Sequence, residues 1–215
     1  PAMKLSGRAQ VKCGVIGKIY RSYMKFSCNN KYLDFFHVPS FNYVKLCCAD
    51  LGLCEKKFIV TGFGVPDTYD QMKNLRVQLS NYTLSIGRSN RDFDFLVDVW
   101  KQDCLRDRTL VIASDTWKPQ TDLPENIIFR NDIKYDESFS WFNCCDICIT
   151  PIADGTICSG DTVLLTGMMF AKPVVVTTPS TLAEMYVRDG ENGVCVTKNA
   201  ADAASRLAAL LNDRA

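Results

Sequence analysis

Six short apolar runs, rich in β-branched residues, punctuate the later part of the chain. They are Thr83–Ile86, Thr109–Ala113, Ile127–Phe129, Ile147–Thr150, Val174–Thr177 and Val194–Val196. Such runs predict strands buried on both faces. Between them the apolar spacing changes to a helical one. Phe93, Leu96, Val97 and Trp100 fall at i, i+3, i+4 and i+7 within Asp92–Lys101, and Phe139, Phe142 and Cys145 share one face of Asp136–Cys145. A helix carrying Val163, Leu164, Met168 and Phe170 is stopped by Lys172-Pro173, and Ala200–Leu211 predicts a closing helix rich in Ala and Leu. Strand and helix in alternation predict an α/β fold, a Rossmann-like doubly wound and mainly parallel sheet of about six strands. In such sheets ligands sit beyond the carboxyl ends of the strands.

The pattern before Thr83 is different. Lys12–Lys31 is basic and aromatic, with Ile19, Tyr23 and Phe26 at roughly helical spacing, and predicts a solvated helix parted from its partners. Phe35–Val38 predicts a strand, Ser40 the cap of a helix running to Ala49, and Phe58–Thr61 another strand. Gly62-Phe63-Gly64-Val65-Pro66 reads as a turn-rich loop and Asp67–Asn81 as an irregular linker. His37, the only histidine, falls on a predicted strand and is expected as a core residue rather than a base.

Composition narrows the classes. The 215 residues suit one large domain, or one domain with an appendage, and 47% hydrophobic with 23% charged residues is ordinary for a globular protein. The net charge of +1 predicts no general pull toward nucleic acid or membrane. No apolar run reaches the length of a membrane span, no secretory signal is visible, and Pro1-Ala2-Met3 reads as a cloning remnant ahead of a truncated start. Eleven cysteines, an odd number, fall mostly inside apolar segments such as NCCDICIT and GVCV and are expected to pack as small hydrophobes. Cys145 and Cys148 form a CxxC with no second ligand pair at zinc spacing. Reduced thiols predict a cytoplasmic setting, and the sequon Asn81-Tyr82-Thr83 is then fortuitous.

Two loops carry candidate chemistry. After the strand at Ile147–Thr150, a loop of small residues ends in Cys158-Ser159-Gly160 at the mouth of the helix opened by Asp161 and Thr162. Free backbone N–H groups and the positive end of a helix dipole make such a mouth a natural phosphate cradle, although an ordinary βαβ loop that binds nothing has the same outline. After Thr83–Ile86 comes Gly87-Arg88-Ser89-Asn90-Arg91, where Gly87 permits a tight turn and Arg88 and Arg91 stand at a strand's carboxyl end. A guanidinium fork matches phosphate oxygens. The same arginines could instead pair with Asp92, Asp94 or other surface acids. Both loops on one sheet edge predict a diphosphate site.

With both loops in view, the chain resembles the C-terminal half of a GT-B glycosyltransferase of the family 4, or group 1, type. The matching stretches are HVPSFNYVKLCCADLGLCEKKFIVTGFGVPDT, SIGRSNRDFDFL, NIIFRNDIKYDESFSWFNCCDICITPI, SGDTVLLTGMMFAKPVVVT and AEMYVRDGENGVCV, covering about residues 35–212. The resemblance implies residues 1–57 as the tail of an N-terminal acceptor domain and residues 58–215 as a nucleotide-sugar-binding domain. It implies a diphosphate near Gly87, Arg88, Arg91, Ser159, Gly160, Asp161 and Thr162, and a base near Phe129, Arg130, Asn131 and Pro151. Many members carry two glutamates where Cys158 and Thr166 stand here, so the ribose-binding carboxylate of the pattern is replaced by Thr166. The basic pair is Arg and Arg rather than Arg and Lys. Glu184 resembles the acid that precedes the DGENG turn.

The implied activity is transfer of a sugar, from a UDP-sugar first and a GDP-sugar second, to a saccharide or lipid-linked acceptor in surface polysaccharide synthesis. Retention at the anomeric carbon is expected from the resemblance alone. The implied partners are donor and acceptor, with no nucleic acid; the full-length parent could associate peripherally with membrane. No cofactor or metal is expected, since Asp132–Asp136 (DIKYD) is not a DxD-type cluster. With the acceptor domain absent, these 215 residues alone are expected to be inactive. The alternatives are a non-catalytic nucleotide-binding or interaction module and, more weakly, a GT-B-type epimerase.

Overall fold

The computed structural model describes residues 15–38 and 40–213. Pro1-Ala2-Met3, Cys13 and the first residues of the predicted Lys12–Lys31 helix lie outside them. The chain divides between Gly62 and Phe63 into two compact units.

The first unit runs α1 (Val15–Cys28), β1 (Phe36–Val38), α2 (Phe41–Leu51) and β2 (Phe58–Val60). Its two strands pair in parallel, Phe36 facing Phe58, His37 facing Ile59 and Val38 facing Val60. Phe36 and Phe58 stack at 5.4 Å over a small core of Cys28, Cys47, Leu51 and Leu53, with Met24 against it. Ser40 caps α2 as its sequence position predicts, its Oγ accepting from the Tyr43 N–H at 3.3 Å. The helix continues past Ala49 because the stop is Gly52, which takes the left-handed conformation at φ 61°. His37 is exposed and bonds Thr61 Oγ1, which corrects the expected core placement. The strand's alternation turns the half-buried Phe36 and Val38 to the inner face and His37 out.

The second unit holds β3 (Tyr82–Ile86), β4 (Thr109–Ala113), β5 (Ile127–Arg130), β6 (Ile147–Thr150), β7 (Val174–Thr178) and β8 (Val194–Thr197). They form one sheet in the order β5-β4-β3-β6-β7-β8, every pair parallel. Its helices are α3 (Tyr69–Met72), α4 (Phe93–Trp100), α5 (Tyr135–Cys144), α6 (Asp161–Met169), α7 (Thr181–Tyr186) and α8 (Ala200–Asn212). On one face Phe93, Leu96 and Trp100 of α4 and Leu207 and Leu211 of α8 cover Leu110, Ile112, Ile147, Ile149 and Val175. On the other, Phe139 and Phe142 of α5, Leu164 of α6 and Leu182 of α7 cover Leu84, Val111, Cys148, Val174 and Val176. The sheet is therefore doubly wound and Rossmann-like. Cys145 and Cys148 are part of this second layer, where burial pushes the Cys148 thiol well above its ordinary value. The linker reading of Asp67–Asn81 missed the one-turn α3, and the short α7 fills the gap between β7 and β8.

Leu84 is fully buried at the centre of the sheet. Leu84→Ala is expected to lower stability by about 2–5 kcal/mol, read as a reduced urea midpoint with an unchanged slope.

Candidate functional site

The strand order reverses between β3 and β6, and there the ladder is short. β3 pairs with β4 through five residues, from Tyr82↔Thr109 to Ile86↔Ala113. With β6 it pairs only at Thr83↔Ile147 and Leu84↔Cys148. Connections leave in opposite directions from these two neighbours, so their carboxyl ends part into a crevice. The loops that follow, residues 87–92 and 151–160, are stitched across it. Asn90 Nδ2 donates to Asp154 O and to Ser159 Oγ, each at 3.0 Å, and its Oδ1 accepts from the Asp154 N–H at 2.7 Å. The Asp92 N–H donates to Pro151 O at 3.1 Å. The Asp92 carboxylate caps α4 at the Phe95 N–H and pairs with Lys198, whose ammonium also donates to Ala153 O.

Arg91 lies folded into the crevice. Its Nη1 donates to Ser89 O at 3.0 Å, while Nε is withdrawn from solvent and has no partner among the described residues. Burial pulls its guanidinium down to about 10, an effect that the Asp161 carboxylate partly opposes. Glycine makes the room. A Cβ on Gly87 would lie 2.5 Å from Arg91 Nε, and one on Gly160, at φ 99°, would lie 3.2 Å from Arg91 Nη2 and 3.0 Å from Thr150 and Leu182. Thr150 Oγ1 is another buried polar atom without a partner among the described residues. Gly160 opens α6 with no side chain capping it, so the first-turn N–H groups remain available beside the guanidinium.

A cleft of about 720 Å³ extends from this point. Among the sequence-predicted residues, Gly87, Arg88, Arg91, Arg130, Asn131, Gly160 and Thr162 line it, and Ser159, Asp161, Phe129 and Pro151 do not. The reasons are local. Ser159 turns its hydroxyl to Asn90. Phe129 points to the opposite layer, edge-on to Trp117 at 5.4 Å, because neighbours along a strand face opposite sides. Pro151 contributes only its carbonyl, to Asp92. Asp161 accepts from the Tyr186 hydroxyl at 3.0 Å and from the Cys158 thiol at 3.4 Å. Arg88 is exposed and pairs at 2.9 Å with Asp115, rather than with Asp92 or Asp94. Asp94 instead accepts from Trp117 Nε1. Arg130 is clamped by both oxygens of Asp132, at 2.7 and 2.8 Å, and lies 5.3 Å over the Trp141 ring. Thr166 lines the cleft and donates its hydroxyl back to Thr162 O at 2.6 Å.

Four contributors escaped the sequence reading. Asn90 and Lys198 tie the loops together, and Tyr186 and the stretch Phe63–Thr68 build a wall. The Tyr186 hydroxyl accepts from the Phe63 N–H at 2.7 Å, and Val65, Pro66 and Thr68 face the cleft. Only Gly62–Pro66 carried a signal, a turn-rich composition that named no ligand.

In doubly wound folds ligands bind at such a reversal of strand order, and helix mouths there suit anions. Residues 80–213, more than half of the chain, match the family described as glycosyl transferases group 1, and the chain belongs to that family. No curated protein matches the sequence. Solved structures share the fold. A glycosyltransferase from Rickettsia africae superposes with a TM-score of 0.66 at 17% identity, covering 89% of this chain and 57% of that one. HepE of Anabaena, solved with UDP and glucose, gives 0.65 at 19%, covering 90% and 57%. WaaG, a glycosyltransferase involved in lipopolysaccharide biosynthesis, gives 0.65 at 16%, covering 96% and 63%. The chain thus spans less than two-thirds of the length of these structures. No described helix is long and apolar enough to cross a membrane.

Burial, with the Asp161 carboxylate adding to it, raises the Cys158 thiol to about 12, and burial raises the Tyr186 phenol to about 12. In the unfolded chain these groups lose protons near their ordinary values of 9.0 and 10.0 while the folded chain keeps them. Stability is therefore expected to fall as pH rises from about 9 to about 12, more shallowly in Cys158→Ala. Urea titrations at stepped pH give the slope.

Proposed function

We propose that this chain is the donor-binding unit of a glycosyltransferase. The reaction moves a sugar from a nucleotide sugar, a UDP-sugar before a GDP-sugar, to a saccharide or lipid-linked acceptor in surface polysaccharide synthesis. The observation that carries the reading is Arg91, whose guanidinium is buried with an orphan Nε beside the uncapped mouth of α6. A largely buried cation that forms no ion pair among the described residues is stabilised by an anion that offsets its desolvation. The HepE structure with UDP and glucose supports the choice of base, and the role of WaaG in lipopolysaccharide biosynthesis supports the choice of pathway class.

In this reading the diphosphate lies between Arg91, Thr162 and the first-turn N–H groups of α6, with Arg88 swinging in from Asp115. The nucleoside extends toward Asn131 and the clamped Arg130. A cleft of about 720 Å³ falls within the usual range for ligands of this size. As the glycosidic bond to the donor breaks, negative charge gathers on the leaving diphosphate. The fixed guanidinium and helix dipole meet that charge without reorganising. We take transfer to be metal-independent. The Thr166 hydroxyl, engaged with Thr162 O, stands where the family pattern has a carboxylate, so ribose is held by other contacts. Acceptor binding is assigned to the part of the relatives' length that this chain does not span. The 215-residue chain is expected to bind UDP yet transfer no sugar.

Calorimetry with UDP, GDP and uridine tests the proposal; no heat of binding at millimolar nucleotide would overturn it. Arg91→Ala is expected to weaken UDP by about 1.5–3 kcal/mol, one to two orders of magnitude, while leaving uridine nearly unchanged. Arg88→Ala should cost less, because its exposed ion pair with Asp115 must break before it can help. Equal UDP binding by both variants and the parent would move the diphosphate elsewhere.

A further inference from the structure

The cleft holds few groups able to read a sugar hydroxyl. Among the described residues that line it, only Asp115 and Asp132 carry carboxylates. Asp115 is paired with Arg88, and both oxygens of Asp132 are taken by Arg130. Both acids are exposed, so water competes for any hydroxyl they meet. The remaining polar side chains facing the cleft are neutral or cationic. On the wall formed by α5 and α6 two buried hydroxyls have given their protons to the main chain, Ser138 to Tyr135 O and Thr166 to Thr162 O. Thr166 lies four residues beyond Thr162 on the same face of α6, about 5.4 Å further along the wall. The rest of that wall is apolar, with Ile133, Phe139, Phe142, Val163 and Met169 facing the cleft.

We propose that this cleft leaves the 2′-hydroxyl of the nucleoside unread, with Thr166 the residue responsible, and so accepts 2′-deoxynucleoside diphosphate sugars, thymidine diphosphate sugars included, beside uridine ones. The inference rests on the donor-binding reading above and extends it to the class of nucleotide. With the diphosphate at Thr162 and the first turn of α6, a ribose one turn further along the helix meets Thr166. A carboxylate there would accept from the ribose diol, and a nucleotide lacking the hydroxyl would leave that charge buried and unpaired. Threonine imposes no such penalty, because its proton is satisfied by the helix whether or not a 2′-hydroxyl is present. The apolar wall favours the same class. A thymine methyl laid against Ile133, Phe139 or Val163 gains burial, whereas a ribose hydroxyl turned to those side chains gains nothing.

Calorimetry of the 215-residue chain with UDP, 2′-deoxyuridine diphosphate and thymidine diphosphate tests the proposal one group at a time. The first two ligands differ by a single hydroxyl, and the last two by a single methyl. The deoxyuridine ligand is expected to bind within about tenfold of UDP, the span of a neutral hydrogen bond. Thymidine diphosphate is expected to bind at least as tightly as the deoxyuridine ligand. Thr166→Glu should open a gap of about ten- to a hundredfold in favour of UDP. That gap is a ratio measured on one protein, so a general weakening leaves it readable, and far-UV circular dichroism confirms that the variant folds. A parent chain that rejects the deoxyuridine ligand by more than about tenfold would overturn the proposal, whatever the variant does. An unchanged ratio in folded Thr166→Glu would overturn the role given to Thr166. Thymidine diphosphate held more weakly than the deoxyuridine ligand would strike thymidine from the class. Binding of none of the three at millimolar concentration would instead sink the donor-site reading itself, a result distinct from binding of UDP alone.

Discussion

β3 and β6 share a parallel ladder for two residue pairs and then diverge, because the chain winds outward from them in opposite directions. Everything at the carboxyl edge depends on that divergence. It leaves a gap between two central strands that their own ladder does not close. The loops beyond them span it, main chain to main chain from Asp92 to Pro151 and from Ala153 to Asn90, and by side chains from Asn90 to Asp154 and Ser159 and from Asp92 to Lys198. These contacts hold the two loops at a fixed separation. With the separation fixed, Gly87 and Gly160 leave a slot just wide enough for the arm of Arg91.

The slot sets the electrostatics. A guanidinium in open water would bring little selectivity, since its hydration competes with any anion. Folded between Gly87 and Gly160, Arg91 has already shed part of its water. Asp161, a carboxylate whose charge acts on Arg91, is engaged by the Tyr186 hydroxyl and the Cys158 thiol and does not form an ion pair with it. Their raised thiol and phenol values extend the range in which both donors stay protonated into alkaline pH. Arg88 is built the opposite way, on the rim and held by Asp115. One cation is therefore preset and the other is free to adjust.

The fold was legible where one physical signal dominates. Runs such as Leu110-Val-Ile and Val174-Val-Val have no polar face to hide, so they read directly as buried strands. The matching helices announced themselves through Phe93, Leu96 and Trp100. The site was legible in part. Glycine and arginine after a strand pointed to Gly87 and Arg91, because both roles follow from residue type. Asn90 was not legible, since its role depends on meeting a loop some sixty residues away. The resemblance implied a base near Phe129, while the pleat that places Arg130 on the cleft side places Phe129 against Trp117. The basic and aromatic character of Lys12–Lys31 was visible in the sequence, whereas the opposite net charges of the two units were hidden in a total near zero.

The stretch Phe63–Thr68 bears on where this unit begins. The family match starts at residue 80, two residues before the first strand of the six-stranded sheet. A chain cut at that boundary would keep all six strands, Arg91 and α6. It would lose Val65, Pro66 and Thr68 from the cleft, and with the Phe63 N–H gone the Tyr186 hydroxyl would give up one of its two partners. The span that the family match covers and the span that lines the cleft are then different lengths of the same polypeptide, set apart by a segment that belongs to no strand of the sheet.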